Sequence, residues 1–256
     1  DNKLTQLLEH ARRTTQFYKN ISSNNLLDFP VVNKSIIRER TNEFLSQSYN
    51  IDKLIISTTS GSTGTPFVMY QDKNKKDRNT ADTAYFASRA NYNLGDCLYY
   101  LKIWSELNKK TPVTSFMQNV VAVDVMKLNS DKIRNIIDRI SNEQGKVGII
   151  GYASALEQMA IYIEREKPIL TKNNVSSIIS ISETLNITTR EILNTYYGVM
   201  PVARYSSIEC GIMGQQCPNI SNEYHLNMAS YYFEILDMEA DFLVKPGTMG
   251  RIVVTD

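Results

Sequence analysis

One stretch limits the fold of this chain more than any other: residues 147–205 read as strand, helix, strand, helix, strand. Val147-Gly148-Ile149-Ile150 is a short apolar run of the length of a buried strand. Ser154-Ala155-Leu156-Glu157 follows with the spacing of a capping box, in which the serine and glutamate each satisfy an unpaired backbone N–H. It opens a helix reaching about Lys167, with Pro168 just beyond. Residues 177–181 form a second strand. Thr188-Thr189-Arg190-Glu191 is a second capping box, Gly198 follows the helix it opens, and residues 199–205 are a third strand. Strands joined by helices run parallel, with right-handed crossovers, so the chain is an α/β protein.

The flanks are less regular. Leu4, Leu7, Leu8 and Ala11 share one face of a helix over residues 4–18, and a second helix is expected over 34–45, after Pro30. Residues 54–57 read as a buried strand, and 67–70 as a strand that returns from a polar loop. A helix over 73–93 stops near Gly95. Strands follow at 97–104 and 119–128. Ile133, Ile136, Ile137 and Ile140 have helical spacing, and residues 231–236 and 251–255 suit two antiparallel strands.

Charge narrows the function. The chain has 28 Lys and Arg against 27 Asp and Glu, a net charge of +1, which is not the basic excess that drives nucleic-acid binding. The basic cluster Lys73, Lys75, Lys76 and Arg78, broken by Asn74 and Asp77, reads as a solvated helix start. Three cysteines, Cys97, Cys210 and Cys217, leave one over if two pair, which favours a reducing compartment. Neither a signal peptide nor a membrane span is legible, and the protein reads as cytoplasmic.

Six of the eight residues from Thr58 to Thr65 are Ser or Thr and the other two are Gly. Glycines let backbone N–H groups approach an anion and hydroxyls add donors, so Ser60, Gly61, Ser62, Thr63 and Gly64 suit a phosphate loop; a small polar surface turn has the same composition. The Walker pattern is absent, because Gly61 and Gly64 are three apart and no lysine follows. Phosphate charge would have to be balanced by a metal or by basic residues elsewhere.

The segment Thr59-Ser60-Gly61-Ser62-Thr63-Gly64-Thr65-Pro66 resembles the phosphate loop of the adenylate-forming enzymes, the superfamily of acyl-CoA synthetases and peptide-synthetase adenylation domains. Tyr205-Ser206-Ser207-Ile208-Glu209 resembles that superfamily's motif of an aromatic residue, two variable ones, a small hydroxyl residue and glutamate, with Ile208 in the hydroxyl position. Gly151-Tyr152-Ala153-Ser154-Ala155-Leu156 and Ser182-Glu183-Thr184-Leu185 are similar to the phenylacetate–CoA ligase-like branch, especially its capsular-polysaccharide-associated members. So are Phe17-Tyr18 and Phe29-Pro30-Val31-Val32-Asn33-Lys34.

The resemblance implies the large N-terminal AMP-binding domain of the adenylate-forming fold over residues 1–256, with mixed and parallel sheets flanked by helices. It implies that Tyr205 stacks on adenine, that Ser206 and Ser207 border the nucleotide, and that Glu209 is the catalytic carboxylate holding magnesium. Ser182, Glu183 and Thr184 would pack around adenine and ribose, and Tyr152 and Ala153 would sit near the acyl pocket. Taken without the family, Tyr152 is a helix-entry residue, Glu183 a strand-end carboxylate and Tyr205 an interface ring. The implied cofactors are ATP or AMP and Mg, with CoA as one acyl acceptor and an amine or hydroxyl of a polysaccharide precursor as another. The implied substrate is a carboxylic acid. The family's later ribose-binding Asp and the Lys of its small C-terminal domain are not in residues 1–256, so the reading expects either a fragment, the favoured alternative, that adenylates poorly or not at all, or a degenerate, non-catalytic nucleotide-binding or scaffolding relative. A zinc site in some relatives directs attention to Cys217 and His225, with Cys210 near. Zinc wants four ligands and this spacing offers two or three, so a free Cys and an ordinary loop His are expected.

Overall fold

The computed structural model describes residues 2–59, 67–104, 111–126, 128–218 and 220–256, with backbone only at 59, 112 and 220–222. In chain order the helices are α1 (Asn2–Thr14), α2 (Lys34–Glu39), α3 (Thr41–Phe44), α4 (Lys73–Arg89), α5 (Pro112–Met117), α6 (Ser130–Asn142), α7 (Ala153–Glu166) and α8 (Ile187–Tyr197). The strands are β1 (Ile55–Thr59), β2 (Phe67–Gln71), β3 (Cys97–Lys102), β4 (Val120–Asp124), β5 (Val147–Tyr152), β6 (Val175–Ile181), β7 (Val202–Ser207), β8 (Gly211–Cys217), β9 (Ile220–Leu226), β10 (Tyr232–Leu236) and β11 (Arg251–Thr255). They divide into two units. One comprises Asp1–Arg78, Ile208–Cys210 and Met228–Asp256; the other comprises Asn79–Ser207 and Gly211–Asn227.

The second unit is built on a seven-stranded sheet of order β4-β3-β5-β6-β7-β8-β9. Its first five strands are parallel, as the alternation of strands and helices requires, and β8 and β9 continue it antiparallel. Tyr99, Leu101, Ile149 and Ile178 meet α6, α7 and α8 on one face through Ile137, Ile140, Leu156, Met159 and Leu193, all at 1% exposure or less. Each such side chain contributes about 1.5–3 kcal/mol by leaving water. On the other face Ala90, Ile150, Ile179, Ile181 and Val202 cluster, with Leu98, Tyr100 and Tyr152 against them.

Local signals place the helix ends, but neither capping box forms. The helix α7 begins one residue before Ser154, at Ala153, and no side chain of its N-cap residue Tyr152 caps it. For α8 the cap is Asn186, whose side chain accepts from Thr189 N at 2.7 Å, two residues before the expected box. Gly198 does end α8: its φ of 67° is the left-handed value that lets its N–H reach Asn194 O at 2.7 Å.

The first unit is thinner. The strands β1 and β2 pair only with each other, as do β10 and β11. Among the described residues its buried apolar side chains are Leu8, Phe67, Tyr231 and Leu236. The segment expected as a buried strand is therefore half of a two-stranded ribbon, and Ile56 is 62% exposed. The single helix expected at 34–45 is broken at Arg40, whose φ, ψ of −121°, 28° leave the helical region. Arg40 instead grips Glu43 through two hydrogen bonds of 2.8 and 2.6 Å.

The basic start of α4 is not simply solvated. Lys75 donates to Cys210 O at 2.7 Å and pairs with Asp256, which also takes Arg78. Burial pulls the Lys75 pKa down, and Asp256 opposes that shift. No helix among the described residues is long and apolar enough to cross a membrane.

Candidate functional site

At the carboxyl ends of parallel strands, backbone leaves the sheet and side chains project past it, which is where open α/β sheets bind ligands. Three of the sequence-predicted segments lie there. Tyr152 and Ala153 make the turn from β5 into α7, with Tyr152 half-buried and Ala153 buried. Ser182, Glu183 and Thr184 follow β6 and are exposed. The strands β6 and β7 pair at Ser180 and Ala203, so two residues on from that pair stand Ser182 and Tyr205. Tyr205 pairs with Gly214 in the sheet while its side chain is 45% exposed, and an irregularity between Tyr205 and Ser206 bends the strand there. An aromatic ring so exposed at a strand end has apolar surface left for a partner.

The loop after β6 is fixed by an unusual turn. Ser182 has φ 72°, and Glu183 N donates to Ile181 O at 2.9 Å, which closes a γ-turn. That turn aims the Glu183 carboxylate back at α7, where Oε2 accepts from Ser154 N at 2.8 Å. A carboxylate at a helix N-terminus satisfies an unpaired N–H and meets the positive end of the helix dipole. Glu183 thus does what Ser154 was expected to do. Asn186 Nδ2 donates to Glu157 Oε1 at 2.9 Å, so two hydrogen bonds tie this loop to the first turns of α7.

Glu209 belongs to the other unit. Its carboxylate pairs with Lys34, beside the Asn33 cap of α2, and its backbone carbonyl accepts from Gln71 Nε2 at 3.4 Å. Its side chain keeps 17% exposure. A carboxylate is the hard oxygen donor that magnesium takes one or two of, with water and phosphate completing the shell, and the Lys34 ammonium would have to give way to it. Ile208, in the motif's hydroxyl position, is 57% exposed. Ser60, Gly61, Ser62, Thr63 and Gly64 lie outside the described residues; the strands flanking them pair as far as Thr59 opposite Phe67.

Cys217 and His225 are not cross-strand partners: Cys217 faces Ile220 and His225 faces Gln215. His225 instead lies 3.3 Å from an Arg89 nitrogen. No group of three His, Cys, Asp or Glu among the described residues is arranged to hold a metal. No disulfide links Cys97, Cys210 and Cys217, and burial pushes the Cys97 thiol up to about 11, far from a reactive thiolate.

One residue beside the motif went unread. Arg204 lies on β7 on the same sheet face as Val202, and its Nε donates to Gln215 Oε1 at 2.9 Å. Gln215 is fully buried and donates in turn to Phe86 O at 2.7 Å. Burial lowers the Arg204 pKa to about 10. The only signal in the sequence was an arginine in an otherwise buried run, Val202-Ala203-Arg204.

No family model matches the sequence, and no curated protein matches it. Solved structures do match. A 2-hydroxyisobutyryl-CoA ligase, in an open conformation with 2-HIB-AMP and CoA, superposes with a TM-score of 0.75 over 99% of this chain at 14% identity. The fold is that of the adenylate-forming ligases. MatB from Rhodopseudomonas palustris, without ligand, matches with a TM-score of 0.56 over 83% of this chain at 15% identity. The amide bond synthetase McbA from Marinactinospora thermotolerans gives 0.56 over 79% at 15% identity. The chain spans 59%, 41% and 40% of these three ligase-fold structures.

Proposed function

We propose that the protein belongs to the adenylate-forming superfamily and that residues 1–256 are its N-terminal AMP-binding domain, activating a carboxylic acid with ATP. The observation that carries this reading is the exposed Tyr205 ring at the bend of β7, opening the run that ends in Glu209, in a chain with the ligase fold. In the proposed reaction a carboxylate oxygen attacks the α-phosphorus of ATP, the new P–O bond forms, and pyrophosphate leaves. Tyr205 stacks on adenine, with Ser206, Ser207 and the segment Ser182–Thr184 around the nucleotide. Because the Glu183 carboxylate is engaged with Ser154 N, it acts on the loop's position and leaves the backbone of Ser182–Thr184 to meet the ligand. Glu209 would hold magnesium, which when bound offsets charge on the departing pyrophosphate. Ser60–Gly64 would donate to the phosphates, and Tyr152 and Ala153 would border the acid.

The acyl-adenylate then passes to CoA, the acceptor that the phenylacetate–CoA ligase-like resemblance favours, or to an amine or hydroxyl of a sugar precursor, which the resemblance to the capsular-polysaccharide members favours. Three cysteines with no disulfide among them are in keeping with a cytoplasmic enzyme. A second reading, a non-catalytic nucleotide-binding relative, draws support from Lys34, whose ammonium already occupies the Glu209 carboxylate, and from Ile208. Pyrophosphate exchange by the full-length chain separates the two. Activation predicts exchange that falls at least about 100-fold in Glu209→Ala, the scale of losing a transition-state electrostatic contact. An unchanged rate in that variant would remove Glu209 from the site, and no exchange with any acid would favour the non-catalytic reading.

A further inference from the structure

We infer that Arg204 is a specificity-determining residue that binds a second carboxylate on the acid, making the substrate a dicarboxylic acid. This rests on the activation reading for the identity of the reacting group, and on independent geometry for the site.

The alternation of the parallel strands sets Leu98 and Tyr100 of β3, Ile150 and Tyr152 of β5, Ile179 and Ile181 of β6, and Val202 and Arg204 of β7 on one sheet face. Seven of these eight are apolar or aromatic and pack as one cluster with Ala90. Arg204 puts a guanidinium at its edge, toward the same strand ends as Tyr152. The guanidinium is incompletely matched. Its Nε is taken by the neutral Gln215 amide, while Nη2 is buried and has no hydrogen-bond partner among the described residues. Arg204 makes no ion pair with Asp or Glu among them either. Arg204 as a whole keeps partial exposure, but its Nη2 end is held away from water with no counter-ion, an arrangement that a ligand carboxylate would complete. The fork of an arginine fits a carboxylate better than any other small anion bar phosphate. On the β3 side the Tyr100 and Trp104 rings, centroids 5.4 Å apart, carry the Lys102 ammonium 5.0 and 4.2 Å from their centroids, which adds a second positive group beside these strand ends.

The test uses the full-length chain with linear mono- and dicarboxylic acids of matched length, read by pyrophosphate exchange and, separately, by thermal stabilisation without ATP. Dicarboxylates are expected to stabilise the protein and to drive exchange. Arg204→Met is expected to weaken both effects on the order of 100-fold, the usual result of removing one partner of a buried charge pair. Arg204→Met is also expected to melt at or above the parent temperature without ligand, since an apolar residue replaces a half-buried charge with an unmatched Nη2. A structural arginine would lower it. Arg204→Gln serves as a second variant should the first not fold.

If monocarboxylic acids drive exchange and Arg204→Met leaves them and the dicarboxylates unchanged, the inference is overturned and the activation reading stands. Arg204-dependent stabilisation by dicarboxylates with no exchange for any acid would keep the inference and overturn the activation reading. Absence of both effects overturns both.

Discussion

The two units of this chain are held together by different physics. The sheet unit buries Tyr99, Leu101, Ile137, Leu156 and Met159 between a sheet and three helices. The other unit has two ribbons of two strands each, four buried apolar side chains among its described residues, and charge pairs at its joints: Lys34 with Glu209, Lys75 and Arg78 with Asp256, Arg251 with Asp241. Ribbons of two strands are marginal alone. An apolar core holds its shape whatever the salt or ligand, whereas ion pairs at partial exposure are weak and exchangeable. The difference separates a close-packed unit from one that leans on exchangeable charge pairs. Tyr205 stands on the former and Glu209 on the latter.

Core truncation is the harshest way to sharpen this contrast. Leu156→Ala should destabilise the sheet unit by about 2–5 kcal/mol, with amide exchange accelerated in β5, β6 and α8. If the loss were under about 1 kcal/mol, the sheet unit would not be the close-packed body described. Next in size is Asp256→Asn. Removing the shared partner of a mostly buried Lys75 and a half-exposed Arg78 should cost about 1–3 kcal/mol, between exposed and fully buried pairs. Exchange should quicken in β11 and the start of α4, and 1 M salt should narrow the gap to wild type. An effect insensitive to salt and spread through the sheet would erase the distinction between the units.

A smaller effect tests the loop after β6. Glu183→Ala removes the cap from Ser154 N and should cost about 0.5–2 kcal/mol, the range for lost N-caps. Ser154→Ala should cost less, because its side chain is exposed inside the helix rather than at the cap. The reverse order would restore the capping box that the sequence suggested.

That box shows how much could be read in advance. The parallel β5–α7–β6–α8–β7 run and the isoleucine face of α6 were legible, because buried apolar spacing is a local signal. The antiparallel pairing of β10 with β11 was legible for the same reason. What escaped depends on partners distant in sequence. Glu183 reaches Ser154 across 29 positions, and Lys75 reaches Asp256 across 181. The strands β8 and β9 were missed because β8 is buried on both faces and carries Gln215 and Gln216 there, polar side chains satisfied by hydrogen bonds with Phe86 O and Ala203 N rather than buried for apolarity. In the candidate site, motif residues were found from their order along the chain. Arg204 was not, because its burial and its unmatched nitrogen exist only once β7 lies in the sheet.

Thermal unfolding of the full-length chain with nucleotides tests the adenine site proposed at Tyr205 most directly. With Mg²⁺ and ATP or AMP at about 100 times the dissociation constant, stabilisation should be about 2.7 kcal/mol. GTP should give far less. Tyr205→Ala should lose the effect while changing unliganded stability by under about 0.5 kcal/mol, as befits a half-exposed side chain. Equal stabilisation by GTP, or full retention of the adenine effect in Tyr205→Ala, would contradict the account.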